Sequence, residues 1–266
     1  MRETRIIMGM PVTVDITSDD PKSMVNILEE VFDYFAYVDE KFSTYKSTSE
    51  ISAINAGTLT PADYSDDMKE IFMLAEKTKN ETGGYFDIVN REGKYDPSGI
   101  VKGWAIWNAG KILQRRGVRN FFVDAGGDVQ TAGCKSNGQK WSVGIADPFV
   151  GHYDKVVKVI RVSGEGVATS GTAIRGQHIY NPHKRQFSDK NSHGDKSNGI
   201  YDIVSLTVIG PNIYEADRFA TAAFAMGRRG IEFIENLHIG DHKLEGYMID
   251  TNGVALMTSG FEKYVV

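Results

Sequence analysis

Between residues 6 and 17 apolar and polar side chains alternate, with Val12, Val14 and Ile16 on one face and Thr13, Asp15 and Thr17 on the other. That is the period of a half-buried strand. A helical period follows. Asp20 is placed to cap it with Pro21 at its first position, and Met24, Ile27, Leu28, Val31, Phe35 and Val38 recur at helical spacing. A second helix is predicted from Asp66, burying Met68, Ile71, Phe72 and Ala75 and stopping at Gly83-Gly84, and a third from about residue 100 to 116. Next come a strand NFFVDA, a Gly126-Gly127 turn and a returning strand DVQTAG.

Strand patterns then dominate: WSVGIA, KVVKVIRVS, the region around HIYNP, and YDIVSLTVIG. The polar stretch HKRQFSDKNSHGDKSNG, residues 183–199, reads as a surface loop. EADRFATAAFAMG, residues 215–227, reads as a buried helix, RRGIEFIENL as a short helix, and EGYMIDTNGVALMT as a hairpin turning at Asn252-Gly253. Helices and strands mix irregularly, which predicts an α+β fold rather than a regular βαβ succession. The expectation is one domain over residues 1–266.

Composition narrows the function classes. With 41% hydrophobic residues the chain can bury a large core. Acidic residues number 35 against 30 basic ones and no long basic run occurs, so a nucleic-acid footprint is absent. One cysteine, Cys134, excludes an intramolecular disulfide and every multi-cysteine zinc pattern. No apolar run reaches the ~18 residues of a membrane span. The opening residues MRETRIIMGMPVTVDIT lack an apolar leader, so the expected location is cytoplasmic.

Four constellations carry candidate chemistry. Asp217 and Thr221 lie four apart on one helix face, so their oxygens point to one place, where a hard cation would fit. Taken alone the pair is also explained structurally: the aspartate meets the helix dipole, and the threonine bonds back to a carbonyl one turn earlier. YDPSGIVKGWAIW leads from Asp96 through Gly99 directly into a helix whose first turn holds Lys102. Such a junction offers amide donors to a phosphate, and an anion would offset the lysine's unfavourable place against the dipole. It is equally read as a capped helix with a solvated lysine. VDAGGDVQ is explained by its hairpin turn, with Asp128 at most a supporting residue. VATSGTAIRGQHIYNPH contains His178, whose isolated signal is weak.

Taken in order, MGMPVTVDI, GGYFD, DPSGIVKGWA, VDAGGDV, VATSGT, HIYNP and EADRFATAAFAMG resemble the ApbE family of FAD:protein FMN transferases, across nearly the whole chain. The resemblance implies a T-fold-like α+β architecture and a reaction that depends on a divalent cation, usually Mg²⁺, with the choice between Mg²⁺ and Mn²⁺ left open. FAD is the substrate, its FMN half passes to a threonine hydroxyl of an acceptor flavoprotein, and AMP leaves. It further implies that Asp217, Thr221 and the Gly99 carbonyl hold the metal. Met8, Tyr85, Phe86, Asp87, Asp96 and Lys102 would contact FAD, and His178 would take the proton from the attacking hydroxyl. Alternative outcomes of the same site are FAD hydrolysis to FMN and AMP, or flavin binding without turnover. The chain differs from the family in the short IVNREGK stretch after Asp87 and in Asn181, where an aspartate is usual.

Overall fold

The computed structural model describes residues 1–18, 20–150, 155–171 and 202–266. In chain order these form β1 (Arg2–Ile7), β2 (Met10–Ile16), α1 (Val25–Phe42), α2 (Glu50–Asn55), α3 (Asp66–Glu81), α4 (Ser98–Arg115), β3 (Phe121–Ala125), β4 (Asp128–Ala132), β5 (Trp141–Ala146), β6 (Val156–Val162), β7 (Gly166–Gly171), β8 (Ile203–Gly210), α5 (Ile213–Ala225), α6 (Arg229–Glu235), β9 (His238–Ile239), β10 (His242–Lys243), β11 (Glu245–Asp250) and β12 (Ala255–Met257). Eight strands build one sheet in the order β1-β2-β3-β4-β7-β8-β11-β12. Every pairing in it is antiparallel. This is the α+β arrangement the sequence predicts.

Strand alternation decides which residues meet which layer. Val12, Val14, Ile16, Phe121, Val123, Leu206, Val208 and Met248 face the helices and join Phe32, Phe35, Trp104, Ile106, Phe219 and Phe224 in the main core. Val129, Val167, Ile209, Tyr247 and Ile249 face the other way, where the β5–β6 hairpin covers them with Trp141, Val143, Ile145, Ile160 and Val162. The sheet is therefore buried on both faces over its central strands.

The opening alternation resolves into two strands because Met8 and Gly9 turn the chain with positive φ, pairing Ile7 with Met10. Asp20 accepts a hydrogen bond from the Lys22 amide at 3.2 Å, and a 3-10 turn over Pro21–Met24 precedes α1. α3 starts at its Ser65 cap, α4 begins two residues before the predicted start, and the β11–β12 hairpin turns at Asn252-Gly253 as expected. Among the described residues, α2 and the β9–β10 pair have no counterpart in the sequence reading, being too short for a period to register. β7 is also additional. Its GVATSG composition carries little strand signal, yet a small residue is what its contact with the start of α5 requires. A Cβ at Gly166 would stand 2.0 Å from the Ile213 amide nitrogen, where α5 begins.

Candidate functional site

α4 and α5 pack closely, and Gly103 makes that approach possible: a Cβ there would fall 2.7 Å from Asp217 Cβ and 3.1 Å from the Ile213 carbonyl oxygen. Across this contact the Gly103 amide donates to Asp217 Oδ2 at 2.8 Å. In α-helical geometry that amide would serve the Gly99 carbonyl, so the carboxylate competes for the hydrogen that would otherwise occupy the Gly99 oxygen. One turn further along α5, Thr221 Cγ2 lies 3.5 Å from where a Cβ on Gly99 would be. The turn at Gly99 and the alanine-rich helix, more than a hundred residues apart in sequence, thus share one place.

The first turn of α4 is less open than its sequence suggests. Asp96 Oδ1 accepts the Ser98 amide at 3.1 Å, and the Ile100 and Val101 amides both reach the Pro97 carbonyl. The Gly99 amide is the donor of that turn with no acceptor among the described residues. Lys102 sits between two carboxylates, paired with Asp128 and 3.8 Å from Asp217 Oδ1. Asp128 is buried, and its other oxygen accepts the Thr169 amide of β7 at 2.9 Å.

The β3–β4 hairpin carries Asp124 and Asp128 on either side of Gly126 and Gly127, whose φ values of 62° and 94° require glycine-type backbone freedom. Asp124 Oδ1 accepts the Gly127 amide at 2.8 Å. Burial pushes the Asp124 carboxyl above its ordinary range, the Gly127 hydrogen bond partly opposes this, and the neighbouring Asp128 adds to it.

These groups line a cavity of about 420 Å³ that runs from Gly99, Lys102, Asp217 and Thr221 past the β3–β4 turn to Val143, Pro148 and Val150 beside the β5–β6 hairpin. Its charge is lopsided. Among the described lining residues four carboxylates, Asp124, Asp128, Asp147 and Asp217, face one lysine, Lys102.

Of the sequence-derived site residues, the cavity gathers Gly99, Lys102, Asp217 and Thr221. The others stand outside its described lining. Phe86 is buried behind the Gly99 junction, its Cε2 being 3.3 Å from a Cβ placed on Gly99. Tyr85 is half-buried and accepts a hydrogen bond from Arg229. Asp87 pairs with Lys79 at 2.8 Å, Asp96 caps the α4 turn, and Met8 lies in the β1–β2 turn. His178 and Asn181, like the 183–199 loop, lie outside the described residues. Gly103 and Arg218 escaped the sequence reading. A glycine inside a helical pattern, and a lone arginine three residues after Glu215 in a buried helix, were the available signals.

The Lys102 pair yields a first prediction. Lys102→Met leaves buried Asp128 without its cation, and breaking a buried pair from one side costs about 3 kcal/mol or more. Urea denaturation of Lys102→Met should show that loss, and the double variant Lys102→Met/Asp128→Asn should recover most of it. Additive losses would show that the two residues act independently.

Fold and site define the class: an α+β protein with an acidic cavity set where a helix N-terminus meets a carboxylate–hydroxyl pair. The chain belongs to the ApbE family, whose model matches residues 8–92 and 89–243. It is 23% identical over 296 aligned positions to the FAD:protein FMN transferase of Haemophilus influenzae, covering 88% of this chain and 82% of that one. The Vibrio cholerae FAD:protein FMN transferase is 30% identical over 149 residues, 53% of this chain, a stretch spanning only 41% of that relative. The fold is shared with the crystal structure of Pseudomonas stutzeri flavinyl transferase ApbE in its apo form. The TM-score is 0.77 at 20% identity, over 100% of this chain and 97% of that one. The Vibrio cholerae flavin transferase ApbE superposes with a TM-score of 0.74 at 21% identity, over 99% of this chain and 98% of that one.

Proposed function

We propose that this chain is an FAD:protein FMN transferase that moves the FMN half of FAD onto a threonine hydroxyl of an acceptor flavoprotein, releasing AMP, with Mg²⁺ held by Asp217, Thr221 and the Gly99 carbonyl. One observation carries the reading: the described cavity wall is acidic, with four carboxylates against one lysine. A pyrophosphate would be repelled from such a wall unless a cation entered with it. The Asp217–Thr221–Gly99 grouping is the part of that wall with the hard-oxygen donor set Mg²⁺ prefers. Mn²⁺ accepts the same donors. When bound, the cation neutralises phosphate charge and polarises the bond that breaks.

The protein's own contributions follow from position. Lys102 presents its ammonium beside the same oxygens, held there by Asp128. The Gly99 amide is free to donate to a phosphate oxygen at the helix N-terminus. The acceptor's threonine oxygen attacks the FMN phosphorus, a new P–O bond forms, and the bond to the AMP phosphate breaks. His178 takes the hydroxyl proton in this assignment, which rests on the family resemblance. Tyr85, Phe86, Asp87, Asp96 and Met8 are assigned to FAD contacts on the same ground. Phosphoryl transfer needs little more than such positioning and charge stabilisation.

The test incubates the purified chain with FAD, Mg²⁺ and an acceptor flavoprotein domain, following AMP release and in-gel flavin fluorescence of the acceptor. Fluorescent acceptor with AMP is the expected result. AMP with free FMN and no labelling would make the chain an FAD pyrophosphatase. Tight FAD binding with neither product would make it a flavin-binding protein.

A further inference from the structure

Nothing in that mechanism uses Arg218, yet its guanidinium is the largest fully buried side chain described. It follows Asp217 on α5 but faces α3. Nε donates to Glu215 Oε2 at 2.7 Å, Nη1 donates to Thr78 Oγ1 at 3.2 Å, and the same nitrogen pairs with Glu81. The guanidinium carbon lies 3.9 Å from the Phe219 ring centroid and 5.3 Å from that of Tyr214. Burying the Arg218–Glu215 pair is a poor way to gain stability, because the desolvation cost rivals the attraction and an apolar cluster of similar volume serves as well. What such a pair supplies is a defined geometry between the two elements it joins.

The elements it joins matter. Glu81 is the last residue of α3, and the chain runs from it directly into Thr82-Gly83-Gly84-Tyr85-Phe86-Asp87. Thr82 Oγ1 donates to the Thr78 carbonyl at 2.8 Å and accepts the Phe86 amide at 3.2 Å, so the start of this loop is built onto the end of α3. Phe86 in turn packs on Gly99, which also abuts Thr221. The contacts close a circuit: Arg218 to Glu81, through Thr82 and Phe86 to Gly99, and back to α5 at Thr221.

We propose that Arg218 is a positioning residue that couples the 82–87 loop to the cation-holding face of α5, so that seating FAD and filling the cation position favour one arrangement. The inference rests on the FMN-transferase reading above. Coupling of this kind is reciprocal: if Mg²⁺ raises FAD affinity by some factor, FAD raises Mg²⁺ affinity by the same factor. Removing the link lowers that factor without removing either site.

The experiment measures FAD dissociation constants by equilibrium dialysis, with and without Mg²⁺ and without acceptor, for the wild type, Arg218→Met and Glu81→Gln. Glu81 is partly exposed, so Glu81→Gln keeps the fold and carries the test if Arg218→Met does not fold. In both variants the Mg²⁺-induced gain in FAD affinity should shrink by about fivefold or more, a change within the usual range of coupling between sites. Arginine acting only as a structural brace would lower the melting temperature and leave the ratio of the two constants unchanged. An unchanged ratio in a folded Glu81→Gln protein overturns the inference. If the wild type binds FAD with no response to Mg²⁺, the cation assignment itself fails, and the inference fails with it.

Discussion

Asp217→Asn is expected to fold, to bind FAD weakly, and to transfer FMN about 10³-fold more slowly than the wild type, the equivalent of losing several kcal/mol of metal-assisted charge stabilisation. The asparagine retains an oxygen for the Gly103 amide, so the 2.8 Å contact that joins α4 to α5 survives while the negative charge does not. This separates the two roles of the side chain. Asp217→Ala removes both and should abolish turnover, with some stability lost as the Gly103 amide goes unpaired. Acceptor fluorescence against Mg²⁺ concentration reads the first effect and thermal unfolding the second. Raised Mg²⁺ should rescue Asp217→Asn in part. Normal turnover of this variant at limiting Mg²⁺ would mean that the cation sits elsewhere.

Gly103→Ala is expected to have the opposite profile, damaging the fold first and activity through it. Alanine in a helix interior normally gains about 1 kcal/mol over glycine. Here the added carbon would stand 2.7 Å from Asp217 Cβ and 3.1 Å from a backbone carbonyl, neither of which can swing away. Overpacking of this kind costs about 1–3 kcal/mol, so the helix gain is cancelled and the two helices are wedged apart. Because the displaced group is Asp217 itself, turnover should fall along with stability. Gly110→Ala is the control from the same helix: its Cβ would meet only side-chain atoms, the nearest at 3.4 Å. Thermal unfolding of the two variants should differ clearly, with Gly110→Ala close to the wild type. Equal melting temperatures would show that α4 and α5 tolerate separation.

Both predictions turn on a contact that the linear pattern half disclosed. The spacing of Asp217 and Thr221 put two oxygens on one helix face, and DPSG before a helical period put a backbone turn at Gly99. Those are local facts, set by a 3.6-residue repeat and by the conformational limits of proline and glycine. The same local logic placed the β3–β4 and β11–β12 hairpins and the long helices, because turn chemistry and amphipathic period act over a few residues. Short elements such as α2, β9 and β10 carry no readable pattern, since fewer than two turns or one pair of residues contains no period. Resemblance of ordered motifs added the family and the expected chemistry.

The packing of α4 against α5 was decided by tertiary structure. A glycine inside a helical pattern, as at Gly103, marks a close approach without naming what approaches, and its meaning comes from the Asp217 that fills the gap. The capture of Lys102 by Asp128, across a hairpin that sequence explained by its turn alone, is likewise a matter of what the sheet brings alongside the helix. Arg218 stands in a helix that reads as buried, and only folding shows that its partner is Glu81, 137 residues earlier. Periodicity and turn chemistry act between near neighbours and so are written in the chain. Charge pairing and steric fit act between distant residues, and exist only once the core has drawn those residues together.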